Sequence, residues 1–261
     1  MKMFKKYIAV AAIVPLMFAC EKEEITTETE ENPVVTKSQI TTGIGGSMAQ
    51  FTILGDYLYT VDYKTLNVFH IVNPDQPTLL EKIDLGIGIE TIYPENDHLF
   101  IGTQDGVKIY DVTNPRSPMP VSEFDHVTAC DPVIANDEYA LATLRGGTEC
   151  GGNLSELMVL DITDLANPFE VTATALENPY GLGFVGANED LVYICDGWDG
   201  LKIYDISEIE NPEMVMQFSD LESIDVIEEN GVLVVLTTMG VYQFNAENPL
   251  ALEEISVIPT L

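Results

Sequence analysis

Asp131 and Asp225 hold corresponding places in two short apolar runs of this chain, and Gln50 and Thr91, with Glu90 beside it, hold the matching places in two others. If those runs converge, two carboxylates face one pocket. Such a pair can protonate a leaving group and activate a water, which is the chemistry of glycoside hydrolysis. Arg145, Tyr180, Asp196 and Trp198 fall in two stretches, around residues 144–153 and 178–200, that interrupt the pattern of the chain. A guanidinium, a phenol and the only indole, carried on loops, are groups suited to contact with a ligand. No Gly-x-Ser-x-Gly, His-Glu-x-x-His or phosphate-loop motif occurs. His70 and His98 stand in separate runs, so no nucleophile–base pair is legible. With 43 acidic residues some carboxylate pair is inevitable. A non-catalytic contact surface is therefore the leading expectation, and hydrolysis through Asp131 and Asp225 the alternative.

The four cysteines divide by position. Cys130 and Cys150 flank the longest insertion, where a disulfide would pin a Gly-rich loop in an oxidising compartment. Cys195 ends an apolar run and reads as a buried thiol. The formal net charge is −32. That excludes nucleic acid and anionic lipid headgroups as direct partners, since both need a basic face. Surplus carboxylates mostly mean a solvated surface, with calcium the one cation they suit outside the cytoplasm. No Asp-x-Asp-x-Asp loop is present to name its ligands. No other cofactor is expected, and the chain reads as a monomer.

The elements that must position these groups form an array. Five Asn-Pro pairs, beginning at Asn73, Asn114, Asn167, Asn211 and Asn248, each follow a run such as Val107-Lys-Ile-Tyr-Asp-Val112 or Leu201-Lys-Ile-Tyr-Asp-Ile206. β-Branched and aromatic residues dominate these runs, as strands require. Each has a strand-like run on either side and a shorter one further upstream. Asp105-Gly106 and Asp199-Gly200 read as hairpin turns that need φ > 0. Four short strands repeated at about 40–45 residues is the period of a propeller blade. The expected fold is all-β: a five-bladed β-propeller of four-stranded antiparallel blades, occupying residues 40–261.

The runs Lys-Ile-Tyr-Asp-Val and Met-Val-Leu-Asp-Ile, each followed closely by Asn-Pro, resemble the LVIVD-repeat family of β-propellers. The resemblance spans roughly residues 45–258 and is strongest in blades two, three and four. Blades one and five depart from it, with His70 and Asn245 in place of the family's Asp. It implies a fold and leaves the ligand open.

Residues 1–19 read as a signal peptide: Lys2, Lys5 and Lys6, then an apolar stretch too short to span a bilayer, then Ala19-Cys20. Met17-Phe-Ala-Cys20 resembles a bacterial lipobox, which implies lipidation of Cys20. Glu21-Lys-Glu-Glu24 resembles the acidic export signal of Bacteroidetes surface lipoproteins. The implied location is the outer membrane, lipid-anchored and surface-exposed, with a periplasm-facing anchor as the alternative. Residues 20–39, rich in Glu and Thr, read as a flexible acidic tether. The sequence thus describes a lipid-anchored propeller that binds or scaffolds an unidentified protein or glycan.

Overall fold

The structure is a computed structural model, and it describes residues 45–125, 132–147 and 152–260. Cys20, Cys130, Asp131 and Cys150 lie outside the described residues, as do the leader and the tether. The propeller unit runs from Gln39 to Leu261.

Among the described residues there are twenty strands and no helix. They form five four-stranded antiparallel sheets, the blades of a five-bladed β-propeller. Blade one contains β1 (Phe51–Leu54), β2 (Tyr57–Val61), β3 (Thr65–His70) and β4 (Thr78–Asp84). Blade two contains β5 (Ile89–Glu95), β6 (His98–Thr103), β7 (Gly106–Asp111) and β8 (Met119–Asp125). Blade three contains β9 (Val133–Ala135), β10 (Tyr139–Arg145), β11 (Ser155–Asp161) and β12 (Phe169–Ala175). Blade four contains β13 (Leu182–Val185), β14 (Asn188–Cys195), β15 (Leu201–Asp205) and β16 (Glu213–Phe218). Blade five contains β17 (Ser223–Glu229), β18 (Val232–Thr237), β19 (Gly240–Asn245) and β20 (Glu253–Pro259). Within each blade the strands pair in chain order, so the first strand is innermost and the fourth outermost.

The repeat motif has a structural meaning at each polar position. Asp111, Asp161, Asp205 and Asn245 end the third strands and accept the backbone N–H two residues on, at 2.6, 2.9, 2.9 and 3.0 Å. This side-chain turn releases the chain from the ladder and starts the outer connection. Blade one has His70 there, its ring 5.3 Å from that of Tyr57. The third–fourth pairing also carries one register shift in every blade, at Val68/Phe69, Ile109/Tyr110, Val159/Leu160, Ile203/Tyr204 and Gln243/Phe244.

The Asn-Pro pairs, however, do not occupy one position. Asn73, Asn114 and Asn248 open the connection, and their carbonyls accept from Gln76, Ser117 and Ala251. Asp164 and Glu208 do the same in blades three and four, accepting from the N–H groups of Asn167 and Asn211. Asn167-Pro168 and Asn211-Pro212 therefore close the turn rather than open it. Proline serves at both places because neither N–H would join the ladder.

The glycine of the hairpin between second and third strands is required for two different reasons. Gly200 has φ +93°, as a tight hairpin demands. Gly106 is not left-handed. A Cβ there would stand 2.2 Å from the carbonyl oxygen of Phe124 on the outer strand, so the need is for room.

Blade faces pack on one another through four apolar clusters. Leu66, Val68, Ile92 and Ile101 join blades one and two. Phe100, Val107, Val133 and Met158 join blades two and three. Ile134, Leu157, Leu182 and Ile194 join blades three and four. Tyr193, Ile203, Val226 and Val235 join blades four and five. Each fully buried Leu, Ile or Val stabilises the fold by roughly 1.5–3 kcal/mol. No comparable cluster joins blade five to blade one among the described residues.

Candidate functional site: the upper mouth of the channel

The end of the ring where the inner strands begin, called upper here, gathers the hairpins between second and third strands and the blade-to-blade connections. The Asn-Pro turns and the other hairpins lie at the lower end. At the upper mouth a cavity of about 390 Å³ is lined by Gln50, Tyr63, Glu90, Arg145, Tyr180 and their neighbours. The Arg145 guanidinium lies 3.9 Å from the centroid of the Tyr180 ring, a stack that draws a cation onto the negative face of the phenol. Glu90 accepts a hydrogen bond from Gln104 Nε2 at 3.2 Å. The rim thus offers aromatic surface beside planar polar groups of both signs.

Tyr180 is held by backbone. Its N–H donates to the Cys195 carbonyl at 2.8 Å, and its own carbonyl accepts from the Thr143 hydroxyl of blade three. The strut beneath it is Asp196, which is fully buried. Asp196 accepts from the N–H groups of Glu177 and Asn178 at 3.2 and 2.6 Å, fixing the segment that leads to Tyr180. The buried Lys202 ammonium pairs with Asp196 and with Asp199. Burial alone would lower the Lys202 pKa, but hydrogen bonds to the two carboxylates raise it. Gly197, at φ +53°, lets the hairpin close on this segment: a Cβ would stand 2.3 Å from Asn178 Nδ2 and 2.9 Å from Tyr180 Cε2. The hairpin tip presents Trp198, 60% exposed. Tyr63, Ile87 and Met239 are likewise exposed on this face.

Asp225 sits deeper. The stretch 45–50 threads the channel, with Gly45 at the lower cavity and Met48 and Gln50 at the upper one. Ser47 Oγ lies 3.4 Å from Asp225 Oδ1 and accepts from the Leu182 N–H at 2.8 Å. Burial raises the Asp225 carboxyl from 3.8 to about 6, although the N–H groups of Val226 and Met48 and the Ser47 hydroxyl favour its charged form. Gly46 and Gly181 pack directly on it; a Cβ on either would fall 2.3 Å from a carboxylate oxygen. Asp225 therefore holds the thread and is fenced from the mouth.

Of the residues singled out in the sequence, the structure brings Arg145 and Tyr180 together, places Asp196 beneath them and Trp198 beside them, and sets Asp225 inside the channel. Asp131 lies outside the described residues. Sequence reasoning missed Lys202 and the thread. It also missed the lower mouth, a cavity of about 220 Å³ lined in part by Glu95, Glu189 and Glu228. There Asn96 Nδ2 bridges Glu95 and Asp137 at 2.8 and 2.7 Å. Burial, then Glu189 and Asp137, push the Glu95 carboxyl up to about 7. These acids stand at turns that the repeat pattern marked only as punctuation. No group of His, Cys, Asp and Glu among the described residues is arranged to hold a metal ion.

Comparison with known proteins agrees with this architecture. The LVIVD repeat model matches residues 45–84 and 185–220. Those are blade one and most of blade four, so blade one carries the signature despite His70, while blades two and three are not among the matched residues. No curated protein matches the chain. Among solved structures, a protein from Lactobacillus plantarum aligns with a TM-score of 0.64 at 12% identity, over 84% of this chain and 71% of that one. A functionally unknown protein from Desulfotomaculum acetoxidans aligns at 0.60 and 11% identity, over 84% and 69%. Sqt1 from Chaetomium thermophilum aligns at 0.55 and 14% identity, over 77% and 55%. At these identities the likeness is one of fold. The chain is a five-bladed β-propeller in which the LVIVD repeat is matched in blade one and most of blade four.

Proposed function

We propose that the chain is a lipid-anchored lipoprotein of the outer membrane, surface-exposed, whose propeller is a non-catalytic binding module engaging a protein or glycan at its upper mouth. The observation that carries the binding reading is the Arg145–Tyr180 stack at the cavity rim. Exposed Trp198 and Tyr63 lie on the same face. Aromatic faces beside guanidinium, carboxylate and amide groups suit a ligand with both apolar and hydroxyl surfaces, as sugars and polar peptides have. Of the two acids in the hydrolytic alternative, Asp225 already serves the Ser47 hydroxyl and the Met48 and Val226 N–H groups. That use favours binding over catalysis.

Screening on a glycan array and by pulldown from envelope extract, Tyr180→Ala and Trp198→Ala are expected to weaken capture at least ~10-fold each, the loss typical of an interface anchor. Phe169→Ala, on an outer strand, serves as the control. Equal capture by all three variants would exclude the upper mouth. The anchor is tested separately. Cys20→Ser is expected to move the protein from the detergent-dependent membrane fraction to the soluble one, because an acyl chain supplies the membrane affinity. A variant still requiring detergent would refute lipidation. The proposed disulfide, Cys130–Cys150, would brace the loop that follows Arg145.

A further inference from the structure

A ring of blades is a row of neighbours closed on itself, and each blade is held by the two beside it. Four of the five junctions are apolar clusters. Among the described residues the junction of blades five and one has none. Phe51, on the face of blade one opposite the cluster shared with blade two, is 60% exposed. Leu236 alternates with Val235, which packs on blade four, and is 41% exposed. What does tie blade five to blade one is polar, and it is the thread through the channel.

The Ala49 N–H donates to the Gly46 carbonyl at 3.0 Å and closes a turn around Ser47 and Met48. Ser47 is buried, and its Oγ accepts from the Leu182 N–H of blade four at 2.8 Å. The same hydroxyl lies 3.4 Å from Asp225 Oδ1 of blade five, and the Met48 N–H also donates to Asp225. The Ala49 carbonyl accepts from the Ile92 N–H of blade two at 2.9 Å, and the Gln50 carbonyl from the Val61 N–H of blade one at 2.8 Å. One short segment thus bonds to blades one, two, four and five. Its seat is close-fitting, since neither Gly46 nor Gly181 leaves room for a Cβ beside the Asp225 carboxylate. A few hydrogen bonds contribute less than a buried apolar junction. Local opening therefore costs least where the thread is the tie.

We propose that Gly46–Gln50 is the latch of the ring. Seated on Asp225 and Leu182, it holds blade five to blade one; released from them, it lets those two blades part while the four apolar junctions stay packed.

Hydrogen–deuterium exchange of the full chain, resolved by peptide, tests the latch. Ser47→Ala removes the hydroxyl and keeps every backbone bond of the thread. Exchange across β1–β2 and β17–β18 is expected to quicken at least ~10-fold, since a buried N–H loses its acceptor, while β6 and β10 keep the parent rate. Val159→Ala, in the cluster between blades three and four, is the comparison and should leave blades one and five at the parent rate. The parent chain gives a second reading that needs no variant. In low urea, followed by NMR, the Leu182 N–H is expected to exchange together with blades one and five and ahead of β14, because its acceptor is Ser47. Acceleration shared equally by all blades after Ser47→Ala would overturn the proposal, as would none in blades one and five. So would the same response of blades one and five to Val159→Ala, or a Leu182 amide that follows β14 in the parent.

Discussion

Asp196→Ala is expected to lower the stability of the propeller by about 3–5 kcal/mol, the loss associated with stripping one partner from a buried ion pair. The side chain is wholly buried, and three groups depend on it: the Lys202 ammonium and the N–H groups of Glu177 and Asn178. After the substitution Lys202 keeps only Asp199, which is partly exposed, and two backbone donors lose their acceptor. Removing the cation instead should cost as much. Lys202→Met fills the same space with apolar atoms but leaves the wholly buried Asp196 carboxylate with two N–H donors and no counter-ion, so a loss of about 3–5 kcal/mol is expected there too. The only tryptophan, Trp198, stands at the tip of this hairpin and reports on it by fluorescence. Urea unfolding followed at that indole should show the midpoint falling for both Asp196→Ala and Lys202→Met. A loss below about 1 kcal/mol for Asp196→Ala would mean that water replaces the lost carboxylate and that the strut does not hold Tyr180 in place.

The same hairpin shows where sequence reasoning stops. Asp196 and Trp198 were conspicuous because they break the repeat, and a loop that breaks a repeat reads as a contact. Trp198 is exposed as a contact residue should be. Asp196 faces inward, and its role depends on Lys202, six residues on, which sits inside the most regular part of the repeat and so drew no notice. Lys108 holds the same motif position in blade two and pairs with Glu123 on the outer strand. The motif alone therefore does not say which partner its lysine takes. Blade count and strand order were legible because hydrophobic alternation and turn residues act locally. The Asn-Pro pairs were legible as turns but not as two different corners of a turn, because either corner tolerates proline. Residues 45–50, Gly-Gly-Ser-Met-Ala-Gln, carry no periodicity at all. Their place in the channel is decided by Asp225 and Leu182, more than 130 positions away in the chain.

Asp225 also gives the molecule a defined response to pH. Its folded-state carboxyl is raised from 3.8 to about 6, so the folded chain holds that proton more tightly than the unfolded chain does. Stability then rises as pH falls through 6, and the gain is complete below 3.8. At neutral pH the buried anion is a burden on the order of 2–3 kcal/mol. Glu95 acts in the same direction from about 7, driven first by burial and then by Glu189 and Asp137, with a smaller effect because it is partly solvated. The melting temperature should therefore climb between pH 7.5 and 5, the range set by these two shifts. Asp225→Asn should flatten the lower part of that climb, and Glu95→Gln the upper part. The amide at 225 still offers an acceptor to the Met48 or Val226 N–H and carries no charge, so the variant is expected to match or exceed the parent at pH 7.5 and to fall behind it near pH 4.5. A parent melting temperature that drops steadily from pH 7.5 to 5 would reverse the sign and show that Asp225 is stabilised as an anion. In that case its hydrogen bonds from Ser47, Met48 and Val226 outweigh its burial, and the thread is held by charge.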